Sequence, residues 1–142
     1  MERKDAYLWL KSISGISTKT IEKLQNEVGN IEDLMDLSDK EIYTLKNINL
    51  NIKENIVKYK SNSYLDGLRE TLHKNDVKYF CIDDDEYPND LKNIYNAPIL
   101  LFYRGDLSIL NNTLNIAMVG SRKPTRYGIS CAKSISKQLS NL

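Results

Sequence analysis

Arg122, Lys123 and Arg126 lie within five residues of one another in Gly120-Ser121-Arg122-Lys123-Pro124-Thr125-Arg126-Tyr127-Gly128, and no acid lies among them. A guanidinium offers a planar fork to phosphate oxygens and also stacks on an unpaired base; an ammonium is a point charge. Gly120 lets the chain turn and approach an anion closely. Ser121 adds a hydroxyl and an N–H. Thr125 is placed to cap a following helix, which puts Arg126 in its first turn. A cation there opposes the helix dipole unless an anion shares the site. Tyr127 suits stacking on a base or packing equally, and Gly128 allows a helix to lie close on a sheet. This is phosphate-binding chemistry.

Catalysis finds fewer parts. The single histidine, His73, falls late in an amphipathic helical pattern, where a surface or packing role is expected. Ser121 lacks the Gly-x-Ser-x-Gly nucleophile elbow and has no histidine near it in sequence. Neither the dinucleotide nor the nucleoside-triphosphate glycine pattern is present. Asp83-Asp84-Asp85-Glu86 invites a metal, but consecutive residues cannot all converge on one ion, and Asp-rich turns before proline are common. No metal site, cofactor or catalytic residue is assigned.

The elements that would position the turn flank it. Leu114 and the run Ile116-Ala117-Met118-Val119 read as a buried strand closed by glycine. Ile129, Ala132, Ile135 and Leu139 recur at helical spacing, with Lys133 and Lys137 on the other side. Strand, small-residue turn and helix form the first half of a βαβ unit, which places backbone N–H groups at a sheet's carboxyl end.

Charge is distributed to match. Residues 107–142 hold five Lys or Arg and no Asp or Glu, so against a net charge of +1 the first 106 residues carry −4. An anion is expected at the tail. Neither cysteine has metal-ligand spacing, no apolar run reaches the ~20 residues of a membrane span, and the start lacks a signal peptide's apolar core. A cytoplasmic location with no membrane association is expected.

Earlier in the chain, Tyr7, Leu8, Trp9, Leu10 and Ile13 predict a short helix over 5–13 with one apolar face. Ile13-Ser14-Gly15-Ile16-Ser17 then outlines a small-residue hairpin before a helix bearing Ile21, Leu24 and Val28; hairpin amides of this kind can hold a DNA phosphate. Ser38-x-x-Glu41 is a capping box. Asn51-x-x-Glu54 starts a longer helix with Ile52, Ile56, Leu65, Leu68 and Leu72 inside, ended by Asn75-Asp76. Strands are predicted over 77–82 and 99–103, with Leu91, Ile94 and Tyr95 on a helical turn packed under the sheet.

The string from Gly120 to Gly128, placed after a buried strand, resembles the DNA-processing protein A (DprA/Smf) family. Tyr87-Pro88, Leu91, Ile94, Ala97-Pro98 and Leu101-Phe102-Tyr103-Arg104-Gly105-Asp106 fit the same family in the same order. The resemblance runs from about Ser12 to the last residue and is tight over 87–128. It implies an α+β to α/β chain in two parts. Residues 1–75 would be a helical SAM-like, helix-hairpin-helix-related domain, and residues 76–142 the first part of a Rossmann-like parallel-sheet domain, cut short relative to the family. It further implies a binder of single-stranded DNA in natural transformation that hands strands to the recombinase RecA, with any homodimer formed through sequence absent here. The DNA-binding residues would be Gly120, Ser121, Arg122, Lys123, Thr125, Arg126, Tyr127 and Gly128. A phosphate- or nucleotide-binding enzyme of the Rossmann class, with its catalytic residues beyond this chain, is the competing reading.

Overall fold

The computed structural model describes residues 1–107 and 115–140. Its first helix, α1 (Arg3–Ser12), buries six consecutive residues from Asp5 to Leu10. That is more than the one apolar face predicted. The reason is topological: the 3-10 turn Ile31–Met35, the helix α5 (Asn62–Lys74) and the strands β1 (Lys78–Cys81) and β2 (Leu100–Tyr103) all pack on α1. Each large apolar side chain so covered contributes about 1.5–3 kcal/mol.

The turn after α1 forms where Gly15 takes φ +87°, a left-handed conformation that favours glycine. Ile13 and Ile16 on either side of it are buried. Ser17 then caps α2 (Thr18–Val28), its hydroxyl accepting from the Thr20 N–H at 3.2 Å. The capping box at α3 (Asp39–Thr44) is complete: Ser38 Oγ accepts from Glu41 N–H at 3.3 Å, and Glu41 accepts from Ser38 N–H at 2.7 Å.

The predicted long helix from Asn51 is two helices. The first, α4 (Leu50–Tyr59), is capped by Asn49 rather than Asn51, and α5 restarts after Ser61, whose hydroxyl accepts from Tyr64 N–H at 3.2 Å. The break has a cause in packing. The Trp9 indole donates to the Tyr59 carbonyl at 2.8 Å, and Lys60 reaches the Leu37 carbonyl and, at 3.0 Å, Asp39. Those bonds hold the end of α4 against α1 and the loop before α3, while α5 takes its own direction along α1.

The two strands lie where predicted but run antiparallel, with Lys78 opposite Tyr103 and Cys81 opposite Leu100. A parallel pair needs a crossover, usually a full helix. The connection here carries only the four-residue α6 (Asn89–Lys92), and the chain folds back instead. Nor does that segment pack under the sheet through Ile94 and Tyr95, which are exposed. Tyr87 does so, fully buried, edge-on to Phe80 at 5.5 Å and donating to the Pro98 carbonyl at 2.7 Å. Of the predicted third strand, Leu114 lies outside the described residues. Residues 115–119 form no strand ladder, and Val119 is 96% exposed. A buried strand requires neighbours to pair with, and none is present among the described residues.

The chain divides into two compact units, Met1–Asn111 and Asn112–Leu142. The first holds all of the elements from α1 to β2; the second holds α7 (Arg126–Leu139). Seven α-helices and a two-stranded sheet among the described residues make the fold mixed α+β.

One polar junction ties the first unit together. The Asp5 carboxylate, its side chain 6% exposed, accepts from Arg69 and from the Tyr79 hydroxyl, so α1, α5 and β1 meet on one group. Burial alone would raise the Asp5 pKa, but the hydrogen bonds from Arg69 and Tyr79 and the Arg69 charge outweigh it, and the net shift is downward. Burial, then the same carboxylate, pushes the Tyr79 phenol up to about 12. Asp5 therefore stabilises the fold fully above its unfolded pKa of about 3.9 and loses that contribution as pH falls through the lower folded value. Asp5→Asn keeps an acceptor for Tyr79 but removes the charge facing Arg69. Urea unfolding at neutral pH should show a loss of about 1–3 kcal/mol, and the variant should lose less further stability below pH ~4 than the wild type. Equal stability at neutral pH would mean that the junction is dispensable.

Candidate nucleic-acid interface

The turn at 120–128 lies in the second unit and is built from its own hydrogen bonds. Thr125 caps α7 as predicted: its hydroxyl accepts from Gly128 N–H at 3.1 Å. Ser121 Oγ accepts from Lys123 N–H at 3.3 Å, so the hydroxyl expected to face a ligand also shapes the loop. Upstream, Ser136 on α7 approaches the Met118 sulfur at 3.1 Å, which brings the segment before the turn back along the helix.

Every residue from Gly120 to Gly128 is exposed. Arg122 and Lys123 extend from the loop, and Arg126 opens the first turn of α7, which contains no acid. A helix presents four N–H groups at its start without intrahelical partners. Thr125 takes that of Gly128, and the dipole gives this end a partial positive charge. Three cationic side chains are added to it. Tyr127 is 79% exposed, so of its two predicted roles packing is not the one it has among the described residues. The glycine arguments fare differently. A Cβ at Gly120 would meet nothing, and one at Gly128 would meet only Thr125 Oγ1 at 3.5 Å. The close helix-on-sheet approach predicted for Gly128 is therefore absent among the described residues.

In the first unit, the acidic run after β1 serves as a turn. Asp84 accepts from Cys81 N–H at 2.8 Å, its own N–H bonds the Cys81 carbonyl at 3.0 Å, and Asp83 lies 3.7 Å from Arg3. Both cysteines are free thiols; burial raises the pKa of Cys81, which suits an inert core group. Among the described residues, no helix is long and apolar enough to cross a membrane. The sequence also passes over a groove in this unit, between α1, α5 and the strands, whose members no spacing rule connects.

Residues 78–142 match the family model for DNA recombination-mediator protein A. The chain is 48% identical over 63 residues to the DNA processing protein DprA of Streptococcus pneumoniae (strain ATCC BAA-255 / R6), covering 44% of this chain and 21% of that protein. It is 38% identical over 58 residues to the DNA processing protein DprA of Bacillus subtilis (strain 168), covering 41% of this chain and 20% of that protein. The match thus spans about one fifth of the length of these curated relatives. No solved structure matches the chain. Through residues 78–142, the basic turn among them, this chain is similar to the DNA recombination-mediator protein A family.

Proposed function

We propose that this chain binds the phosphate backbone of single-stranded DNA at residues 120–128, in a DNA-processing role of the kind that its relatives' names describe. The observation that carries this reading is the exposed cationic turn. Arg122, Lys123 and Arg126 stand around the start of α7, in a stretch of 36 residues (107–142) without one acid. The arrangement places cations where a helix dipole disfavours them, a cost that a bound anion removes. Arg122 supplies the fork, Lys123 and Arg126 add charge, and the α7 amides and Ser121 N–H donate to phosphate oxygens. Gly120 and Gly128 keep the backbone uncovered, Thr125 holds the helix start, and Tyr127 offers a ring to an unpaired base. The reading is binding without bond cleavage.

The division of the chain at about residue 75 belongs to the same proposal, as do the SAM-like and Rossmann-like ancestries of its two parts. The beginning of the family match at Lys78 supports the former. Recombinase loading onto the bound strand, with RecA as partner in the cytoplasm, belongs to the same proposal and rests on the resemblance.

Arg122→Ala should weaken binding of a fluorescent oligothymidine by about 1.5–3 kcal/mol, the range for a hydrogen bond to a charged group. Arg122→Lys should recover only part, keeping charge but not the fork. Lys137→Ala, farther along α7, should have almost no effect. Thermal melts should be unchanged in all three. If Arg122→Ala binds like the wild type, the site assignment is wrong.

Binding should also prefer single strands, tolerate any sequence and weaken with salt. The three phosphate contacts at the turn contribute roughly −2 to the logarithmic salt slope, at about −0.7 per phosphate. A flat slope, or displacement by a free mononucleotide as efficient as by oligonucleotide, would favour a small-molecule phosphate site instead.

A further inference from the structure

The first unit carries −4 overall, yet the ionisable nitrogen groups that line one of its grooves, on Lys4, Arg69, His73 and Lys78, face no carboxylate in that lining. The groove measures about 360 Å³ and is bounded by Lys4 on α1, Arg69 and His73 on α5, and Lys78, Tyr79 and Tyr103 on the two strands, with no acid in its lining. Two of these cations are committed. Arg69 holds Asp5 and Asp66, and Lys4 lies 3.5 Å from the exposed Glu2. Lys78 is exposed and has no ion pair among the described residues. It stands directly opposite Tyr103 in the sheet register, which places an ammonium and a phenol ring side by side at the end of the sheet where the groove lies. The Tyr103 ring rests on Phe80 at a centroid distance of 5.1 Å, and the Tyr79 hydroxyl is tied to Asp5. Both rings are therefore held before any ligand arrives.

An anchored aromatic ring beside cations, in a trough open to solvent, is the arrangement that takes single-stranded nucleic acid: bases stack and phosphates lie along the charges. An acidic peptide would use the cations but not the rings. We infer that this groove is a second single-strand DNA contact, separate in sequence from the turn at 120–128, with Tyr103 stacking a base and Lys78 and Lys4 neutralising the flanking phosphates. His73 adds an imidazole donor at the edge. The contact does not depend on the assignment of Arg122.

The test uses the whole chain and an oligothymidine of about 16 nucleotides, the upper site size of a single-strand fold, with bromodeoxyuridine at defined positions. Irradiation followed by peptide mapping should yield an adduct at Tyr103. The double variant Lys4→Gln/Lys78→Gln, at one half-buried and one exposed position, should bind about tenfold more weakly and show a salt slope shallower by about 1.4, two phosphates' worth. The same pair of substitutions should lower binding again in an Arg122→Ala background. Tyr103→Leu should abolish the adduct, and its melting curve reports whether the sheet survives; should it unfold, the lysine variant decides alone. Adducts confined to residues 115–140, wild-type affinity and slope in the lysine variant, or displacement of the oligonucleotide by polyglutamate as readily as by unlabelled DNA would each overturn the inference. Loss of binding in Arg122→Ala with none in the lysine variant would leave the turn as the site and reject the groove.

Discussion

A single buried carboxylate sets the architecture of the first unit. Asp5 lies in a helix that is otherwise covered by apolar neighbours, and a charge there is tolerated only if donors reach it. The donors come from 64 and 74 residues away, Arg69 on α5 and Tyr79 on β1. Satisfying Asp5 therefore fixes the last helix of the bundle and the first strand of the sheet against the same turn of α1. Trp9, one turn further along, does the equivalent for α4 by donating to the Tyr59 carbonyl. The strands consequently pack on the helices as part of one compact body, and the basic groove exists because Arg69 and Tyr79 are held where they are.

Much of this was legible locally and little of it globally. The capping box at Ser38, the α2 stripe of Ile21, Leu24 and Val28, both strands and the Thr125 cap were readable because each is governed by residues within a few positions. The break between α4 and α5 has a local signal too, Ser61-Asn62-Ser63 being rich in capping residues, but the apolar spacing runs across it and dominates the reading. Strand direction is not a local property. Apolar runs at 77–82 and 99–103 fit parallel or antiparallel pairing equally, and what decides is the short α6, which leaves no crossover helix. The apolar run at 116–119 reads as a strand by composition alone, yet a strand is made by its partners, and residues 115–119 have none among those described.

The candidate site divides in the same way. Residue types and spacing announced the cations and the helix start, since exposure of a charged loop follows from solvation. They did not announce that Ser121 would turn its hydroxyl onto Lys123, or that Gly128 would face its own cap rather than a sheet. The groove was invisible from the sequence because Lys4, Arg69, Lys78 and Tyr103 are assembled only by the fold. Its ligand chemistry nonetheless matches that of the turn, cations with an aromatic beside them.

The most direct test of the phosphate-turn assignment is an amide-resolved NMR titration of the chain with oligothymidine. If the turn holds the backbone, the N–H signals of Ser121, Arg122, Arg126 and Tyr127 should shift in a saturable manner, ahead of those in the middle of α7. If those four amides stay in place while the oligonucleotide binds elsewhere, residues 120–128 are not the phosphate site.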